Sequence, residues 1–189
     1  NPWNDYFHLL NNGALQIAVR IAGNQFGFYH ERVRDDGFSE FALQESRYDA
    51  ARAQAMIWRG ATPSLMPDVP PPALSANEKN ALQFPAIPEL GDMLEKLPPA
   101  TLKIIAYMPV HMTAQPPPGT REAAVEAECK ARIAAAAGKN GAKVVDWRIS
   151  SAITRDDTNY WDTLHYRRPI GQRISRELAP AVLEGRESQ

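Results

Sequence analysis

Cysteine occurs once in these 189 residues, at Cys129. An internal disulfide is therefore impossible. The setting Glu-Ala-Glu-Cys-Lys-Ala puts carboxylates beside the thiol, which disfavours the reactive thiolate. Cysteine this scarce fits the cytosol and a bacterial periplasm equally. No run approaches the roughly 18 apolar residues of a membrane-spanning helix. Net charge is almost absent too: 21 Lys and Arg against 22 Asp and Glu leave −1. Arg32, Arg34, Arg155, Arg167 and Arg168 are interleaved with acids. A chain without a basic face gives no reason to expect nucleic acid or an anionic membrane as partner. Glycine-rich phosphate cradles are missing, since Asn11-Asn12-Gly13 and Gly138-Lys139-Asn140-Gly141 are turn signals. His8, His30, His111 and His165 lack spacings such as His-x-x-x-His, so no metal is expected. An initiating methionine is also lacking. The expectation is a domain incomplete at its N-terminus, with any signal or membrane anchor upstream of Asn1.

What is present is an apolar fraction of 44%, enough for a real core, in a length that suits one domain. Apolar periodicity predicts a helix over 4–22, stopped near Gly23, and a second over 39–58 with Ser39 as its cap and Gly60 after its end. Together they make residues 1–60 a helical region. Residues 61–73, with Pro70-Pro71-Pro72, read as an extended Pro-rich connector. From Ser75 a helical stretch is broken by Pro85 and Pro88. A short helix over 89–97 is then stopped by Pro98-Pro99.

The continuous apolar run 102–108 predicts a buried strand closed by Pro109. An alanine-rich helix over 120–137 ending at Gly138 follows, then a strand over 144–147, then a last helix over 169–183 with Pro169 in its first turn. Strand, helix, strand, helix over 100–185 is a βαβα order. It implies an α/β fold with a parallel sheet, whose ligands bind beyond the carboxyl ends of the strands.

One motif lies at that edge: Tyr160-Trp161-Asp162-Thr163-Leu164-His165-Tyr166-Arg167. An acid and a histidine three residues apart can face one cleft, and a carboxylate that orients an imidazole makes it a usable general base. Tyr160 and Trp161 would help shield the pair from water. His111, after strand and proline, and Asp146, at a strand end, are further candidates for lining the cleft. For each of these two, the ordinary alternative is a hydrogen-bonded structural residue or a loop cap. The nucleophile search fails. Ser39, Ser46, Ser64, Ser75, Ser150, Ser151, Ser175 and Ser188 include none in Gly-x-Ser-x-Gly and none in Gly-Asp-Ser after a strand.

In order along the chain, Met108-Pro109-Val110-His111, Val144-Val145-Asp146-Trp147 and Tyr160-Trp161-Asp162 through Arg167 resemble the C-terminal blocks of the SGNH (GDSL-like) hydrolase superfamily. The nearest likeness is to a bacterial cell-envelope group within it. The segment from Tyr6-Phe7-His8-Leu9-Leu10-Asn11 to residue 22 is similar to a helix that follows the family's central block. The resemblance is good over 100–185 and vague before that.

It implies a flavodoxin-like three-layer sandwich, with Asp162 orienting His165 as the base of a Ser-His-Asp triad. It also implies ester hydrolysis or O-acyl transfer on an acylated small molecule or polysaccharide, no metal or organic cofactor, and a periplasmic or envelope location. The family's serine and its Gly and Asn oxyanion blocks have no match here, so the serine is expected upstream of Asn1. Two other readings stay open: a catalytically inactive SGNH-like accessory subunit of an envelope complex, and an unrelated α/β binding domain.

Overall fold

Glycine at position 27 adopts a φ of +74°, which only a residue without Cβ takes easily, and there the first described helix ends. A computed structural model describes residues 12–28, 43–64 and 66–187, with side chains as far as 180. Helix α1 (Asn12–Gln25) runs through Gly23 rather than stopping there. The Phe28 N–H bonds to the Gly23 carbonyl at 2.8 Å and the Gly27 N–H to Asn24 at 3.1 Å, a Schellman closure. The expected start at residue 4 lies outside the described residues. Read above as one domain, the chain divides into two units by internal packing, Asn1–Gln44 and Glu45–Gln189.

In the second unit, α2 (Ala50–Trp58) begins because the Asp49 carboxylate accepts the Ala51 and Arg52 N–H groups at 3.0 and 3.1 Å. This corrects the expected helix over 39–58. Residues 43–49 are irregular apart from a 3-10 turn at Glu45–Arg47, and the Ser39 cap lies outside the described residues. Arg59 closes α2 in the left-handed region (φ 52°), followed by Gly60 at +78°.

The described part of the 61–73 connector has neither helix nor strand, as its prolines require. Arg155 ties it down, donating from Nη1 to the Met66 carbonyl at 3.0 Å. Helix α3 (Ala76–Ala81) starts at a Ser75/Glu78 capping box. Helix α4 (Ala86–Glu95) starts three residues before the expected 89, because Pro88 sits in its first turn, where a missing N–H costs nothing.

Strands β1 (Lys103–Tyr107) and β2 (Ala142–Asp146) form a two-stranded parallel sheet, with Ile105 opposite Val144 and Tyr107 opposite Asp146. Helix α5 (Arg121–Lys139), capped by Thr120, connects them. It passes through Gly138, and Gly141 at φ +66° makes the turn. Because strand side chains alternate, Tyr107 and Asp146 share one face. Lys130 of α5 meets both there, 5.2 Å from the Tyr107 ring centre and 2.9 Å from Asp146 Oδ2.

Val145, on the other face, packs against the buried cluster of Trp147, Ile153, Ile170 and Ile174. The last two residues belong to α7 (Arg168–Glu187). A short helix unforeseen from sequence, α6 (Ala152–Arg155), is capped by Ser151 and Thr154. The result is a mixed helix–strand fold around a small parallel sheet, with helices on both of its faces. No described helix is long and apolar enough to cross a membrane.

Candidate active site

The segment between α6 and α7 closes on itself. Tyr160 bridges Tyr166 in antiparallel fashion, the Trp161 N–H bonds to the His165 carbonyl at 2.8 Å, and the Arg167 N–H bonds to Asn159 at 2.8 Å. Inside this loop Asp162 accepts two backbone bonds on Oδ1, from Leu164 at 2.7 Å and His165 at 2.9 Å, the turn an aspartate makes with the residues after it. The same turn swings the imidazole round, so His165 Nδ1 stands 2.8 Å from Asp162 Oδ2. A nitrogen facing a carboxylate carries the proton, which leaves Nε2 as a free lone pair pointing away. Burial alone would raise the Asp162 carboxyl. The Leu164 and His165 N–H bonds and the ring outweigh it and hold the group below the usual aspartate range.

The sign of that shift makes a prediction. A depressed folded value means the loop's stabilisation is complete above the unfolded value of about 3.9 and is lost only as pH falls through the lower folded value. Amide protection at Leu164 and His165 should therefore stay flat from pH 7 to about 4. Loss of that protection near pH 5.5 in an NMR exchange series would contradict it.

The loop is anchored at its exit. Glu45 Oε2 takes Arg167 Nε and Nη2 at 2.9 and 2.7 Å, and its Oε1 takes the Arg168 N–H at 2.9 Å. The Arg167 guanidinium also lies 3.7 Å over the Tyr48 ring, whose edge contacts Trp161 at 5.2 Å. Trp161 is thus packed against Tyr48, and Tyr160 is fully buried at the loop's start, its phenol pushed well above its ordinary value by burial. Shielding is one-sided, however: the Asp162 side chain is 28% exposed and that of His165 73%.

No family model, curated protein or solved structure matches this chain.

His111 is brought to the loop. Its backbone N–H bonds to the Thr163 carbonyl at 2.9 Å, between Asp162 and His165 in sequence. Its ring, however, is fully buried and faces Asp157, so it does not line an open cleft. Asp146 is engaged elsewhere, by Lys130 and by the Arg148 N–H at 2.7 Å, in agreement with the loop-cap alternative. An open depression of about 580 Å³ borders the loop, lined by Ile57 and Trp58 of α2, the Arg59 that closes it, Thr113, Ala114, Thr163 and Leu164.

Four of the described serines use their hydroxyls in local structure. Ser75 and Ser151 cap helices, Ser150 accepts from Arg155 Nε, and Ser175 donates to the Gly171 carbonyl. No group of three His, Cys, Asp or Glu suited to a metal occurs among the described residues. Glu45, Tyr48 and Asp157 carried no signal in the sequence. Their partners lie about a hundred residues away or, for the His111 that faces Asp157, on the turn after β1, and no local spacing encodes such pairings.

Proposed function

We propose that this chain supplies the acid–base half of an SGNH-type serine esterase or O-acyltransferase, with the serine contributed from outside these residues. The observation that carries the reading is the 2.8 Å contact between His165 Nδ1 and Asp162 Oδ2, on a loop that follows a parallel strand. His165 Nε2 takes the serine proton as Oγ attacks the acyl carbonyl. The same proton then goes to the departing alkoxide, leaving an acyl-enzyme. In the second half His165 deprotonates water, or an acceptor hydroxyl of a sugar, and returns that proton to the serine. Asp162 keeps the imidazole in the required tautomer and stabilises it when charged.

Helices on both faces of β1 and β2 support a flavodoxin-like sandwich. The substrate would be an acylated small molecule or polysaccharide, the location a bacterial periplasm or envelope, with no cofactor required.

A second reading is an inactive SGNH-like accessory subunit within an envelope complex. The observation in its favour is the 73% exposure of His165. The deciding experiment is fluorophosphonate labelling of the polypeptide as its gene encodes it, with the adduct located by peptide mass. An adduct on a serine outside residues 1–189 is expected. Labelling of Ser150 or Ser151 would overturn the assignment of the serine to residues outside this chain, and no labelling anywhere would sink the enzyme reading.

A further inference from the structure

We infer that His111 is a positioning residue for the Asp162–His165 pair, holding the loop that presents them from its base, its start and its tip; this rests on reading that pair as an acid–base site.

Three separate contacts carry the inference. At the base, His111 Nε2 stands 3.0 Å from Asp157 Oδ1, close though not aligned as a linear hydrogen bond. Asp157 in turn takes Trp58 Nε1 at 2.9 Å and Gln54 Nε2 at 3.0 Å on its other oxygen. One carboxylate thus joins α2, the turn after β1 and the residues entering the loop. At the loop's start, the His111 ring meets Tyr160 edge-on at 5.4 Å, with Trp58 on another side at 6.0 Å. At the tip, the His111 N–H holds the Thr163 carbonyl.

The ring's orientation is determined. Nδ1 lies 3.2 Å from the Thr113 N–H and accepts from it, so the proton is on Nε2, toward Asp157. Burial pushes the imidazole below its ordinary value, and Asp157, with Asp156 behind it, only partly reverses this. A fully buried imidazole that accepts at Nδ1 from Thr113 and stands 3.0 Å from Asp157 at Nε2 has little room to shift, because moving away from either neighbour leaves a buried polar group less compensated. Asp162 takes its geometry from the Leu164 and His165 N–H groups of its own turn, so support of that turn reaches the carboxylate through the backbone.

The test uses amide exchange and carboxyl NMR on the full chain. In His111→Asn the side-chain carbonyl can still accept from Thr113, but nothing reaches Asp157. In His111→Gln the terminal amide regains the Nε2 position. The expected result for His111→Asn is roughly tenfold faster exchange at Leu164 and His165, with the β1 and β2 amides unchanged. The Asp162 titration midpoint should also move up toward the ordinary value. His111→Gln should restore both.

Unchanged loop amides in His111→Asn overturn the inference, as does equal acceleration of loop and strands, or identical behaviour of the two variants. Should His111→Asn fail to fold, Asp157→Asn decides, with the same pattern at about threefold expected. None of these readouts depends on turnover, so failure of the hydrolase reading leaves them unaffected.

Discussion

Replacing His165 with alanine is expected to slow acetyl-ester hydrolysis by the intact protein roughly 10²–10⁴-fold, the share a positioned general base supplies. The fold should not change, because a side chain 73% exposed contributes no core packing. Asp162→Asn should also lose activity. An amide at that position can present its NH₂ to Nδ1 and so favour the tautomer with the proton on Nε2, which cannot act as base. Steady-state kinetics on 4-nitrophenyl acetate, with circular dichroism as the fold control, measures both. Activity within threefold of wild type in His165→Ala would refute the assigned role.

Ile174→Ala is the substitution expected to cost the fold most. Ile174 is 3% exposed and sits in the cluster that seals α7 against β2 through Val145. Truncating a buried isoleucine leaves a cavity and costs about 2–5 kcal/mol, or roughly 5–15 °C in melting temperature for a chain of this size. Ile149→Ala, at a position 50% exposed, is the matched control and should shift the melt by no more than about 2 °C. The site should suffer with the core, because the same α7 begins at Arg168, whose N–H is bonded to Glu45 beside the loop. Equal melting temperatures for the two variants would show that α7 does not seal this core.

What could be read from sequence divides along sequence distance. The Asp162–His165 contact spans three residues and is made by one turn, so its spacing was visible. The strand–helix–strand order around β1, α5 and β2 was visible for a similar reason, as continuous apolar runs separated by a long alanine-rich helix. The helix ends were less legible. Gly23 and Gly138 look like stops, yet each lies inside its helix, and a glycine a few residues further on makes the turn. Asp49 caps α2 ten residues after Ser39, which the apolar period had favoured as the start.

The supports of the candidate site were not legible at all. Glu45 reaches Arg167 across 122 residues and Trp58 reaches Asp157 across 99. Tertiary packing alone makes such pairs. His111 looked like a lone histidine for the same cause, since both groups that explain its burial, Trp58 and Asp157, are distant in sequence. The flavodoxin-like sandwich was an expectation from resemblance, and the described sheet of two strands displays only its coarser feature, parallel pairing with helices on both faces.

The central claim is that His165 serves as the base for a serine beyond these residues. Its most direct measurement is the rate of fluorophosphonate labelling in wild type against His165→Ala, followed by intact mass at pH 7.5. A single serine adduct in the wild type that forms at least about a hundredfold more slowly in the variant is the expected result. Equal labelling of the two, or a wild type that takes no label, would contradict it.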